Sequence, residues 1–301
     1  MSLPFRIKDL GKLFKTAFKK WNEKDPFRQS AVIAYYAIFS LPALLVVVIS
    51  SAGLFFDADA VNGHVLDQIT QTMGKETSDQ VKEMLLKASV AKSSIWATII
   101  GIAVLLIGAT GVFVQLQKTL NIIWEVKAEP KKGIWPMLKT RLFSFGLILS
   151  IAFLLLISLV ISTILSSISN WMHSESQVMI VLFQILNFVI SLLVISVLFA
   201  LMFKILPDAK IKWHHVWIGS VVTGLLFTLG KTALAFYFSK AEPGEGYGAA
   251  GSIILILLWV SYSSMIMFYG AEFTRAYADL YSDYVPPSDN AVKEDIPDRA
   301  A

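Results

Sequence analysis

Six mostly apolar stretches, at roughly 31 to 56, 95 to 114, 143 to 168, 179 to 203, 216 to 238 and 249 to 273, alternate with polar segments along the chain. A bilayer core about 30 Å thick takes about 20 helical residues, and each stretch is long enough. A chain in lipid must satisfy its backbone hydrogen bonds internally, so the pattern predicts an all-α, polytopic membrane protein with six transmembrane helices. The stretch beginning at Ala31 is long and lacks a clean small-residue cleavage site, so it reads as a retained first span.

The polar segments carry patterns of their own. In residues 1–22, Ile7, Leu10, Phe14, Ala17, Phe18 and Trp21 recur at helical spacing, with Arg6, Lys8, Lys12, Lys15, Lys19 and Lys20 over the remaining surface. That is the pattern of an amphipathic, interfacial helix on an anionic leaflet. Residues 57–93 hold two short amphipathic patterns, Val61/Val65/Ile69/Met73 and Val81/Met84/Leu85/Ala88, around a polar break, which predict an external helical hairpin between spans 1 and 2. Beyond Tyr281, prolines among polar residues predict a disordered tail over 282–301, leaving 1–281 as a single six-helix domain.

Composition agrees with this solvent: of 301 residues, 55% are apolar and only 16% charged. With no cysteine, disulfides, thiolate metal sites and cysteine nucleophiles are excluded. The net charge of +4 is a matter of topology. Twenty of the 26 Lys and Arg residues fall in the N-terminal segment, the 115–142 and 204–213 loops and the tail, against five on the other side, Lys75, Lys82, Lys87, Lys92 and Lys240. The positive-inside rule therefore puts both termini of this multi-pass protein in the cytoplasm. Membrane lipids, with anionic head groups at the cytoplasmic face, are then the expected partners, and nucleic acid is not.

Polar residues inside the spans are the informative positions, because each must find a partner or face a cavity. Lys231 falls about 10 Å inside the external boundary of the fifth span, at 1.5 Å per residue. Ser220, Gly224 and Thr228 precede it on one helical stripe. A stripe ending in a cation suits an anionic group; the alternative is a lysine that snorkels or pairs with Glu242 or Glu245. Gln184, Asn187 and Ser191 share a face of the fourth span, and Ser158, Ser162 and Ser166 align on the third. Both sets either line a polar path or bond between helices. Glu272, roughly 20 Å from Lys231 in depth, has Arg275 and the basic 204–213 loop as nearer partners. Pro42 should kink the first span, glycines including Gly108 and Gly111 allow close approach in the second, and Glu242–Ser252 forms a tight, glycine-rich turn. Small-residue faces also permit a homo-oligomer.

Several activities lack their residues. His64, His173, His214 and His215 are scattered, with no HExxH cluster, no GxSxG elbow and no nucleotide-binding motif. The expectation is a non-enzyme with no metal and no cofactor.

Asp25-Pro26, Ser40-Leu41-Pro42, Asn121 with Trp124, Leu206-Pro207, Lys231, Tyr247-Gly248, Trp259 and Gly270-Ala271-Glu272 occur in an order and spacing that resembles the YihY/BrkB family of bacterial inner-membrane proteins. The likeness covers nearly the whole chain except the tail. It implies a six-helix membrane protein, an association with virulence in some members, an older label of ribonuclease BN and a suggested link to envelope or lipid transport. Ribonuclease activity would need a metal or acid/base site facing soluble RNA, and it is set aside for want of one. Pro42, Asn121, Pro207, Tyr247, Gly248, Trp259 and Glu272 become structural or gating positions. Lys231, Thr228, Gly224, Ser220, Gln184, Asn187 and Ser191 become substrate-binding ones. The function expected is a transporter or lipid translocase for an anionic amphiphile or envelope lipid; the alternative is a non-transporting envelope scaffold.

Overall fold

The computed structural model describes residues 9–52, 62–63, 65–67, 69–70, 75–90, 95–129, 177–241, 243, 245–281 and 285–294. The third apolar stretch and its serines, most of the first arm of the 57–93 hairpin, His64 and His173 lie outside these residues. The elements are α1 (Leu10–Glu23), α2 (Pro26–Ala52), α3 (Lys75–Val90), α4 (Ile95–Trp124), β1 (Val126–Ala128), α5 (Gln177–Ile205), α6 (Trp213–Ala241), a 3₁₀ turn (Glu245–Ala250), α7 (Gly251–Tyr281) and β2 (Ala291–Lys293).

Local chemistry sets several boundaries. Pro26 opens α2 at the helix position where a missing N–H costs nothing, and Asp25 before it has a φ of 50° and accepts from the Gln29 N–H. α4 stops where Glu125 turns left-handed, with a φ of 54°. Three described helical segments, Ile185–Ile205, Trp213–Ala241 and Ile253–Tyr281, are long and apolar enough to cross a membrane. Only 22%, 22% and 33% of their most apolar windows are buried inside protein, so most of that surface faces outward. Leu182, Ile185, Phe188 and Leu193 on α5 and Leu229 and Phe236 on α6 are among the exposed side chains. Apolar surface on that scale needs lipid or another apolar partner.

Contacts divide the chain into two compact units. The first comprises 1–24, 120–226 and 269–301 and carries both ends of the chain. Its core lies where α1 meets the end of α7: Leu13 and Ala17 are buried against Phe273, Ala276, Tyr277 and Tyr281, and the tilted rings of Phe14 and Phe273 lie 4.9 Å apart between centroids. Tyr281 also donates a hydrogen bond to Asp9 at 2.7 Å. The amphipathic helix expected over 1–22 is thus helical over Leu10–Glu23. In its described part the apolar face is largely taken by protein, because α7 offers it an aromatic surface, while Phe18 stays 57% exposed.

In the same unit α6 and α7 interlock. A Cβ on Gly219 would lie 1.7 Å from Thr274 Oγ1, and one on Gly270 would lie 1.9 Å from Thr223 Oγ1. Each threonine donates to the carbonyl of the glycine four residues before it on its own helix, at 2.6 Å for Thr223 and 2.8 Å for Thr274. Each helix thus supplies one notch and one knob, with the buried hydroxyl satisfied by its own backbone.

The chain ends of this unit hold two departures from expectation. β1 and β2 pair antiparallel, Val126 opposite Lys293 and Ala128 opposite Ala291, so a two-stranded ladder joins the helices among the described residues. The tail expected to be disordered is therefore ordered over 285–294. Backbone bonds hold it, from Lys210 N–H to Pro286, from Ser288 N–H to Asp208 and from Glu294 N–H to Glu125. Polar and proline-rich composition left it no core to pack, but its N–H and C=O groups complete an open strand edge.

The second unit comprises 25–119 and 227–268. Here α2 and α4 come close through Gly108 and Gly111, where a Cβ would meet Ser40 at 3.0 Å and Tyr36 at 2.3 Å, as the glycines of the second span led one to expect. Gln29 accepts from Gln115 at 2.6 Å and Thr119 at 3.1 Å across the same pair. α2 remains helical through Pro42, whose side-chain surroundings are not among the described ones. In the hairpin region α3 is helical and Ser78 donates to Leu66 at 2.9 Å.

Gly270→Ala is expected to destabilise by about 1–3 kcal/mol, because the new methyl collides with Thr223 inside a packed helix pair. Gly11→Ala on the exposed side of α1, with nothing within 4 Å, should be neutral or slightly stabilising. Thermal unfolding of both purified variants in one detergent checks the contrast; equal midpoints would contradict the interlock.

Candidate functional site

Two groupings of polar residues stand out, one in each unit. In the first unit the ends of α1, α4 and α7 bring together six charged side chains. Glu272 is fully buried and binds Lys24, with Lys24 Nζ 2.6 Å from Glu272 Oε1. Lys24 also donates to the Ile123 carbonyl at 3.2 Å. Arg275 spreads its guanidinium over three partners: it donates to the same Ile123 carbonyl, pairs with Glu125 at 2.6 Å and reaches Asp279 at 3.6 Å. Asp279 in turn meets Lys20 at 3.0 Å on the exposed rim. Three cations therefore face three anions, the arrangement that keeps a buried ionic group from costing several kcal/mol.

The expectation that Glu272 pairs with Arg275 or the 204–213 loop is corrected here. Its partner is Lys24, and Arg275 is turned to Glu125 and Ile123. Burial pulls the Lys24 ammonium below the ordinary lysine value despite the pull of Glu272. For Glu125, burial acts upward, but the hydrogen bond and charge of Arg275 outweigh it and leave the carboxyl below its ordinary value. The left-handed backbone of Glu125, uncommon for a residue with a Cβ, is held by this grip and by the Glu294 N–H on its carbonyl.

Asn121, singled out in the sequence, binds the residue that follows Pro207. Asn121 donates to Asp208 Oδ2 and accepts from the Asp208 N–H, both at 2.8 Å, fixing the loop after buried Pro207 to the last turns of α4. Ser220 is buried and donates to the Val216 carbonyl, while a Cβ on Gly224 would meet Ser196 Oγ at 2.8 Å. This part of the small-residue stripe packs helices. Asn187 is exposed, Ser191 is half-buried and the side chain of Gln184 is not described.

In the second unit Lys231 lies in a recess lined by Phe227, Leu234, Trp259, Tyr262 and Ser263. Phe227 and Trp259 pack at 5.6 Å between ring centroids. Lys231 forms no ion pair among the described residues, and the Ser263 hydroxyl is buried without a hydrogen-bond partner. Glu242 and the side chain of Glu245, alternative partners for Lys231, are not described. Thr228 is half-buried one turn away, Tyr247 is 62% exposed in the 3₁₀ turn, and Gly248 follows it. No group of three or more metal-binding side chains occurs among the described residues.

The model of the family described as virulence factor BrkB matches residues 17–294. The chain belongs to that family. Among curated relatives, a UPF0761 membrane protein of Saccharophagus degradans is 27% identical over 271 residues, which are 90% of this chain and 60% of the relative. One from Haemophilus influenzae is 24% identical over 88% of this chain and 94% of its own length. One from Pseudoalteromonas atlantica is 25% identical, with 96% and 94% covered. The chain thus spans nearly all of some BrkB-family relatives and about 60% of others. No solved structure matches it. With its apolar helices, this makes the chain a BrkB-family membrane protein.

The sequence singled out Glu272 and Asn121 but missed Lys24, Glu125 and the tail. Two signals were available: Lys24 directly precedes the Asp25-Pro26 pair quoted for the family, and Glu125 directly follows Trp124.

Arg275→Ala is expected to cost about 1–3 kcal/mol, since it removes the partner of half-buried Glu125 and one of the two donors to the Ile123 carbonyl. The depressed Glu125 carboxyl gives a pH signature as well. Its contribution to stability is complete above the ordinary glutamate value of about 4.3 and is lost as pH falls through the lower folded value. Glu125→Gln should therefore be less stable at neutral pH and fall less steeply on acidification. Thermal midpoints against pH check this, and parallel curves for the two proteins would contradict it.

Proposed function

We propose that this protein is an inner-membrane transporter or lipid translocase that handles an anionic amphiphile, with Lys231 meeting its head group. The observation that carries the reading is a cation without an ion pair among the described residues, in an aromatic-walled recess beside the unpartnered Ser263 hydroxyl. A phosphate or carboxylate at the mouth of this recess would gain the lysine charge, while Phe227 and Trp259 offer apolar walls to an acyl chain. An intramembrane ionisable residue is a functional position by default.

In this reading six spans place both termini in the cytoplasm, and the exposed Lys12, Lys15 and Lys19 of α1 face anionic lipid head groups there. No nucleotide-binding motif is present in the sequence, so transport would draw on a gradient or on the lipid's own imbalance. The protein acts without covalent chemistry.

Full-length protein in proteoliposomes, with labelled anionic phospholipid followed across the bilayer, tests the reading. Wild type should move the lipid, and Lys231→Met should lose most of that movement while inserting normally. Equal movement by the variant would remove Lys231 from the site. No movement by wild type would turn the account toward a scaffold acting through the 57–93 segment.

A further inference from the structure

Glu272 is a buried ionisable group that the Lys231 recess does not use. Glu272 has no solvent exposure, yet only one of its two carboxylate oxygens is bonded among the described residues: Oε1 takes Lys24, and Oε2 has no hydrogen-bond partner there. A carboxylate whose role is structural usually has both oxygens satisfied, because each unmet acceptor costs free energy in an apolar setting. Among the described residues the neighbouring cations other than Lys24 are engaged elsewhere. Arg275 is spent on Ile123, Glu125 and Asp279, and Lys20 on Asp279.

The single donor sits at a helix end. Lys24 is the residue that ends α1, its N–H bonded to the Trp21 carbonyl in a last loose turn. Its ammonium is held by one carboxylate oxygen and one carbonyl. Among the described residues the charges of this cluster are Lys24 and Lys20 from α1, Glu125 from the end of α4, and Arg275 and Asp279 from α7 itself. Together with Glu272 they sum to zero, so adding one proton to Glu272 leaves one cation in excess, and Lys24 loses the bond that held it.

We propose that Glu272 is a proton-binding site and that Lys24 is its exchangeable counter-ion. A proton from water enters on the Glu272 carboxylate, where the unbonded oxygen is free to take it. The Lys24 ammonium keeps its own proton and leaves the contact, releasing the end of α1. In the reverse step the carboxylic acid gives its proton back to water and Lys24 returns. The exposed Lys20–Asp279 pair marks the side from which water reaches the cluster. The chemistry stands without the transporter reading; its use as the coupling step of transport rests on that reading.

The test is infrared difference spectroscopy of the full chain in lipid nanodiscs, comparing neutral with mildly acidic buffer. Wild type should gain the carbonyl band of a protonated carboxylic acid that shifts in deuterium oxide, and Glu272→Gln should lack that band. Glu272→Asp should retain it, which guards against a merely misfolded variant. In Lys24→Met the band should already be present at neutral pH. An acid band unaffected by Glu272→Gln overturns the site, and Lys24→Met without the band at neutral pH overturns the exchange. A carboxylate band that answers to sodium at constant pH, and not to acid, assigns a metal cation and removes the proton. Proteoliposomes with a pH gradient then separate this from the transport reading. A Glu272 band with no lipid movement in any gradient sinks the transporter and leaves the proton site. Lipid movement driven equally well by the gradient in Glu272→Gln sinks the coupling.

Discussion

A carboxylate with no access to water has to be held by something, and the way Glu272 is held organises its half of the molecule. Lys24 comes to it from the end of α1 and Arg275 lies one turn along α7, while the Ile123 carbonyl at the end of α4 accepts from both cations. Three helix ends are thus tied at one point by charge. The ties are costly to break singly, because each removal strands a partner away from water. They are also directional, which apolar contacts between membrane helices are not. Around this point the remaining features fall into place: the aromatic seat of α1 on α7, the left-handed turn at Glu125, and the strand of the tail bonded to that turn.

Packing between the helices uses a different device. Inside lipid, apolar side chains gain little from touching one another, so close approach and satisfied polar groups take over. The reciprocal Gly219–Thr274 and Gly270–Thr223 notches do this for α6 and α7, and Gly108 and Gly111 do it for α4 against α2. Only small residues allow such contact. Where the helices instead present Leu182, Ile185 or Phe236 outward, the surface suits hydrocarbon.

Much of this was legible in the sequence, for reasons that mark where legibility ends. Apolar length is a local property, so the helices around 31–52, 95–114, 179–203, 216–238 and 251–273 could be read directly, as could the Pro26 start of α2. The partner of Glu272 could not, because Lys24 lies 248 residues away and nothing in the local pattern links them. The tail was misread because β2 is held by backbone bonds, which leave no side-chain signature in a proline-rich, polar stretch. The amphipathy of α1 was plain, but an apolar face does not say whether lipid or protein covers it; the aromatic end of α7 decides that. Lys231 stood out as a cation in a span, whereas the unpartnered Ser263 hydroxyl beside it emerged only when α6 and α7 were placed side by side.

The central claim is that the recess around Lys231 receives an anionic head group. Native mass spectrometry of the purified protein, offered an equal mixture of anionic and zwitterionic phospholipid, asks this most directly. The account expects preferential retention of the anionic lipid by wild type, and loss of that preference in Lys231→Met with overall lipid binding preserved. Equal retention of the two lipids by wild type, or an undiminished preference in the variant, would contradict it.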